Sequence, residues 1–209
     1  MTERPAIPTA MPRVDRGSSP TGAIVIVGSA GAIDALIQLL AMLTAKFPLP
    51  IIVAQHLSRS SISLLPAILN WHCAVRAKWA EDDEEPQAET VYVVPPARQL
   101  QVTERGFKLS ALRPDASGWL TSPDALLHSV AARYGARSVG IVLSGMLTVG
   151  IGGFRAIKSV GGITFAQNQA SSQFFDMPRS ATDLGKADMI YSPANIAAAL
   201  NVLAEQRAQ

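Results

Sequence analysis

Residues 1–22 show no hydrophobic period. Pro5, Pro8, Pro12 and Pro20 lie among Ser and Gly, and the stretch reads as a flexible tail. Periodicity then begins abruptly. The β-branched run Ala23-Ile24-Val25-Ile26-Val27, closed by Gly28, predicts a buried strand. Over 32–45, Leu36, Leu39, Leu40 and Leu43 recur at helical spacing, and Pro48 and Pro50 close the segment. A second apolar strand at 51–54 runs straight into Gln55-His56. A helix is expected over 61–71 and strands at 75–79 and 91–94, the latter stopped by Pro95-Pro96. The acidic run Glu81 to Glu85 breaks the pattern and reads as a solvated loop. Segments 99–103 and 107–112 form a hairpin around Arg105-Gly106.

Downstream, the pattern predicts a helix over 123–134 and a buried strand over 138–143. A glycine-weakened helix follows over 150–160, then a strand over 163–166. A short helix over 178–184 has Pro178 in its first turn and Gly185 beyond its end. A strand at 188–191 and a helix over 194–206 complete the series. Strands alternating with helices predict an α/β fold, with a doubly wound, mostly parallel sheet covered by helices on both faces. An antiparallel portion is expected within the strand-rich stretch 75–112, around 90–112. The pattern describes one domain over residues 23–205.

Composition narrows the function classes. Of 209 residues, 48% are apolar and only 16% charged, below the ~25% usual in soluble domains, so a large core is available. No apolar run reaches the ~18–20 residues that span a bilayer, and the N-terminus lacks a signal-peptide pattern, so no membrane insertion is expected. Cys73 is the single cysteine, and the histidines stand at 56, 72 and 128. No disulfide framework, thiolate metal site or His-rich metal centre is expected. A net charge of +2 gives no argument for nucleic acid. The expected compartment is reducing and cytoplasmic.

In open α/β sheets, ligands bind at the carboxyl ends of the strands, which directs attention to the loops at 28–32, 55–61 and 144–150. Ser29 stands between a buried strand and a helix. It reads either as the helix N-cap or as a nucleophile beside free N–H groups that stabilise an oxyanion. The loop is neither a G-x-S-x-G elbow, since Val27 takes the first glycine position, nor G-x-G-x-x-G. His56 follows its strand directly. Alone it reads as structural; together with Ser29 it would be a general base on the same rim. The third loop, Ser144-Gly145-Met146-Leu147-Thr148-Val149-Gly150, contains no carboxylate to orient the imidazole. Cys73, His72 and His128 read as packing or surface residues.

These segments resemble the catalytic domain of the bacterial chemotaxis protein-glutamate methylesterases, the CheB family. The resemblance runs over Val27-Gly28-Ser29-Ala30-Gly31-Ala32-Ile33-Asp34-Ala35-Leu36, Ala54-Gln55-His56-Leu57 and Val91-Tyr92-Val93-Val94-Pro95-Pro96. It continues through Ser144 to Gly150, Gly161 to Ser172 and Met177-Pro178-Arg179-Ser180-Ala181, all in the family's order. It implies Ser29 as nucleophile, His56 as base, the backbone at Ala30 in the oxyanion hole and Met146 lining the substrate groove. No metal and no organic cofactor are implied. The implied reaction is hydrolysis of a glutamyl methyl ester, or deamidation of a glutamine, on a methyl-accepting chemoreceptor or related signalling protein.

The chain also departs from the family pattern. Val149 occupies the family's catalytic Asp position, and valine accepts no hydrogen bond. Ala30 replaces a threonine, and Leu120-Thr121-Ser122-Pro123-Asp124 lacks a basic residue. Asp176 is a candidate compensating carboxylate, and Ser144 and Thr148 are candidate neutral partners for His56. The alternative expectation is a degenerate homologue that binds a receptor or signalling partner without turnover. The residues before the first strand are too few for the receiver domain that the family often carries. Regulation is therefore expected, if at all, from a separate response regulator.

Overall fold

The computed structural model describes residues 22–57, 63–111, 123–146, 151–183 and 187–208. The tail expected over 1–22 falls, up to Thr21, outside the described residues. So do Leu120 to Ser122, Thr148 and Val149, and Leu184 and Gly185 at the expected end of the short helix.

Strand β1 (Ala23–Gly28) is buried along its whole length, because both of its faces are covered. Ile24 and Ile26 face one apolar layer, while Ala23, Val25 and Val27 face the other. This two-sided cover explains the continuous apolar run where a half-exposed strand would alternate. Helix α1 (Ala32–Leu40) leads to β2 (Ile51–Gln55), and α2 (Leu65–His72) to β3 (Arg76–Trp79). Then come β4 (Thr90–Val93), the hairpin β5 (Arg98–Thr103) and β6 (Gly106–Ala111), and α3 (Asp124–Tyr134). The chain continues with β7 (Ser138–Val142), α4 (Ile151–Ser159), β8 (Ile163–Gln167), α5 (Asp176–Asp183), β9 (Met189–Tyr191) and α6 (Pro193–Ala208).

The main sheet has seven strands in the order β3-β4-β2-β1-β7-β8-β9, and every described pairing in it is parallel. Helices α1, α2 and α6 supply apolar side chains to one layer, and α3, α4 and α5 to the other. The order builds outward from β1 on one side and then restarts at β7 on the other. The switch point, where such sheets form their crevices, therefore lies at β1.

The structure corrects the sequence-based expectation in three places. Antiparallel pairing does not begin at residue 90. Strand β4 runs parallel between β2 and β3, and its buried Val91, Tyr92 and Val93 fit a strand covered on both faces. The antiparallel portion is the separate β5–β6 hairpin, where β5 alternates buried and exposed positions because only one face is covered. Helix α1 stops at Leu40, not near 45. Met42 and Leu43 donate to the carbonyls of Leu39 and Leu40, tightening the chain into turns that still bury Leu43. A helical face and a pair of tight turns here present the same apolar spacing.

The acidic run is not a free solvated loop. Asp82 accepts from the Leu109 N–H at 2.6 Å and pairs with Lys108 at 3.0 Å. Glu84 pairs with Lys78 at 2.9 Å and Glu85 with Arg133, while the backbones of Asp83 and Glu84 bond Phe107. The run thus fastens the hairpin to the domain, helped by an edge-on contact of Tyr92 with Phe107 at 4.9 Å. The Leu109 N–H and, after it, Lys108 hold the Asp82 carboxyl below the ordinary carboxylate range.

Candidate functional site

Parallel register brings the sequence-predicted loops together. Gly28 lies opposite Gln55 across β1 and β2, so the next residues, Ser29 and His56, are neighbours at the carboxyl edge. The His56 N–H donates to the Gly28 carbonyl at 3.0 Å and extends the ladder by one residue. On the other side of β1, Val27 lies opposite Val142, and the chain beyond β7 turns under the same loop.

Ser29 is half-buried and His56 exposed, and Ser29 Oγ stands 3.3 Å from His56 Nδ1. This is a long hydrogen bond of the kind that tightens once substrate displaces water. Ser29 does not cap α1. The N-cap is Gly31, and no side chain bonds the helix start there. The serine hydroxyl is left free to face the imidazole. Among the described residues, no carboxylate bonds the His56 ring.

The turn that carries Ser29 is closely held. The Ser29 carbonyl accepts from the Ala32 N–H at 3.2 Å and from Gln55 Nε2 at 2.7 Å. Gly31 adopts φ 71° and ψ 6°, the left-handed geometry that glycine tolerates. A Cβ on Gly31 would also lie 2.6 Å from Gln173 Oε1 and 2.9 Å from Ser144 Oγ. The Ser29 N–H donates to the Ser144 carbonyl at 3.0 Å, so it is committed to the scaffold. The N–H groups of Ala30, Gly31 and Met146 meet no acceptor among the described residues. Ala30 and Gly31 follow Ser29 in its turn, and Met146 follows Gly145, which packs against Ser29, so these N–H groups are candidate donors to a developing oxyanion.

Ser144 is fully buried and does not serve His56, contrary to its candidacy as a neutral partner. Its hydroxyl donates to the Ala30 carbonyl at 2.8 Å and accepts from the Phe174 N–H at 2.9 Å. Its own N–H donates to the buried Gln167 Oε1 at 2.8 Å. Gly145 packs against Ser29: a Cβ there would lie 3.1 Å from Ser29 Cβ and would collide with the Met177 side chain. Met146, next to Gly145, is 57% exposed.

Asp176, the candidate compensating carboxylate, makes no bond to His56 among the described residues. It opens α5 and pairs with Arg179 at 2.6 Å, both side chains being half exposed. Asp124 turns toward α4 and accepts from the Gly153 N–H at 2.6 Å. Thr148 and Val149 lie outside the described residues. Among the described residues, no group of three or more His, Cys, Asp or Glu is placed to hold a metal ion. No helix among them is long and apolar enough to cross a membrane. Sequence reasoning assigned no part to Gln55 or Gln167. Their one visible signal was a polar side chain at the last position of an apolar strand.

Comparisons with known proteins point to one family. A protein-glutamate methylesterase/protein-glutamine glutaminase of Paramagnetospirillum magneticum is 37% identical over 179 residues, covering 86% of this chain and 50% of the relative. The protein-glutamate methylesterase FrzG of Myxococcus xanthus is 35% identical over 177 residues, covering 85% of this chain and 53% of the relative. The chain thus spans about half the length of the curated relatives it matches. The crystal structure of the Thermotoga maritima CheB methylesterase catalytic domain superposes with a TM-score of 0.80 at 26% identity, over 90% of this chain and 100% of that one. The sequence profile described as CheB methylesterase matches residues 24–200. With a parallel sheet of matching fold and a profile match that reaches from β1 into α6, this chain belongs to the CheB methylesterase family.

Proposed function

We propose that the domain is a protein-glutamate methylesterase of bacterial chemotaxis, working in the cytoplasm on the methylated glutamates of a chemoreceptor. The observation that carries this reading is the Ser29 Oγ to His56 Nδ1 contact of 3.3 Å, beside backbone N–H groups that meet no acceptor among the described residues. Ser29 Oγ attacks the γ-carbonyl carbon of the ester while His56 takes the hydroxyl proton. The tetrahedral oxyanion is held by the N–H of Ala30, with those of Gly31 and Met146 on the same rim. Collapse breaks the bond to the methoxy oxygen, His56 returns the proton, and methanol leaves. Water then attacks the acyl-serine, with His56 again as base, and frees the glutamate carboxylate. The same steps on a glutamine side chain would release ammonia.

Val149 stands where the family has its orienting aspartate. In serine proteases, loss of that carboxylate lowers kcat by ~10⁴, yet ~10³–10⁴-fold catalysis over water remains from the oxyanion hole and binding. The expectation is a slow esterase, with His56 oriented by its backbone and by Ser29. Val149 also favours the second reading, a homologue that binds a receptor without turnover.

The test is methanol release from a methylated chemoreceptor cytoplasmic fragment. Release by the native sequence above that of Ser29→Ala supports the esterase. Equal release by both, together with binding of the fragment, favours the second reading.

A further inference from the structure

Resting on the esterase reading above, we infer that Gln55 and Ser144 are positioning residues that aim the oxyanion donors of the nucleophile turn. Residues Ser29 to Ala32 form a reverse turn closed by the Ala32 N–H on the Ser29 carbonyl at 3.2 Å. Gly31, at φ 71° and ψ 6°, occupies the third position of a type II turn. Type I and type II turns differ by a flip of the middle peptide, here the one joining Ala30 to Gly31. A trans peptide is planar and its C=O and N–H point in opposite directions, so whatever holds the carbonyl aims the next N–H.

Each of the two peptides is held by a side chain from a different strand end. Gln55, ending β2, donates to the Ser29 carbonyl at 2.7 Å and thereby directs the Ala30 N–H away from itself. The same Nε2 lies 3.4 Å from the His56 carbonyl, so Gln55 also ties the nucleophile turn to the base. Ser144, just beyond β7, donates to the Ala30 carbonyl at 2.8 Å and thereby directs the Gly31 N–H. Its hydroxyl oxygen also lies 3.1 Å from the Phe174 carbonyl, but the single proton serves the closer Ala30. Ser144 cannot rotate cheaply. It is fully buried, its hydroxyl accepts from Phe174 N–H, and its own N–H is held by Gln167. Gln167 is fixed in turn by the Ser171 carbonyl at 2.8 Å. The turn is therefore locked in the flip that leaves the Ala30 and Gly31 N–H groups without an acceptor among the described residues. Both positioning residues act through the direction of a peptide plane.

The experiment compares the native sequence with Gln55→Leu, Ser144→Ala and Ser29→Ala, using p-nitrophenyl acetate as ester and trifluoroacetone as probe. The ketone forms a hemiketal with the serine and places a real oxyanion in the hole. Gln55 is half-buried, so its variant keeps the test usable if Ser144→Ala fails to fold. Removing an oxyanion donor outright costs ~10²–10³ in kcat, so misaiming one is expected to cost about 10- to 100-fold. KM should change little, and ketone affinity should fall by a factor similar to that of kcat/KM. A folded Gln55→Leu with unchanged kcat and ketone affinity overturns the inference. So does a loss of kcat with ketone affinity intact. Hydrolysis equal in the native sequence and Ser29→Ala instead overturns the esterase reading, and this inference with it.

Discussion

The two halves of the candidate site are built differently. The nucleophile turn is gripped from both flanking strands: Gln55 and Ser144 hold its carbonyls, and the Ser144 carbonyl holds its first N–H. The proposed base is held lightly. His56 is exposed, its N–H is tied to Gly28, and its ring has one long contact with Ser29 and no carboxylate partner among the described residues. The difference separates two requirements of ester hydrolysis. Stabilising an oxyanion needs fixed backbone, which a packed sheet edge supplies with neutral residues. Moving a proton needs an oriented, electrostatically supported imidazole, which a valine at 149 does not provide. Catalysis in this domain should therefore be limited by the proton-transfer half.

The largest effect that would break this comparison is at the nucleophile. Ser29→Ala should abolish hydrolysis of p-nitrophenyl acetate above background, a loss of several orders of magnitude, since serine and base act as a unit. Next is the turn itself. Gly31→Ala would force an alanine into left-handed geometry and against Gln173 and Ser144. A cost of about 1–3 kcal/mol in chemical unfolding is expected, with a sharp fall in kcat. Unchanged stability and activity would mean that the turn is softer than its bonds imply. Val149→Asp sharpens the other half. If the missing carboxylate is the main defect, kcat should rise about 10- to 100-fold, within the ~10⁴ such a group is worth; no rise would locate the defect elsewhere.

Smaller effects mark residues outside both halves. Asp176→Asn should leave ester hydrolysis within about 2-fold, because an exposed pair such as Asp176 with Arg179 contributes only ~0–1 kcal/mol. Asp82 gives a pH signature. Its carboxyl is held below the ordinary range by the Leu109 N–H and Lys108. Its contribution is therefore complete above the unfolded value of ~3.9 and is lost as pH falls through the lowered folded value. Protection of the Leu109 amide, its exchange relative to the intrinsic rate at each pH, should fall in that acid window, and Asp82→Asn should remove this pH dependence of protection.

The juxtaposition of Ser29 and His56, the proposed catalytic pair, is legible in the sequence because punctuation marks it. Ser29 and His56 each follow an uninterrupted apolar strand, and parallel register then makes them neighbours. The supporting residues were not legible. Gln55 bonds a residue 26 positions away, Ser144 one 114 away, and Gln167 one 23 away, and no local period carries such pairings. The direction of β4 is not legible for a related reason: buried apolar runs of four residues look alike in either pairing sense. Asp176 reads as a candidate catalytic substitute because a carboxylate near a rim looks the same in sequence whether it faces a histidine or, as here, an arginine on its own helix.

The most direct test is covalent. The native sequence, Ser29→Ala and His56→Ala would be exposed to a fluorophosphonate and followed by intact mass and peptide mapping. The account predicts a single phosphonyl adduct on Ser29, none on Ser29→Ala, and labelling slowed by about 10²–10⁴-fold in His56→Ala, the usual range for a general base. An adduct on a different residue, or the same labelling rate with and without His56, would contradict it.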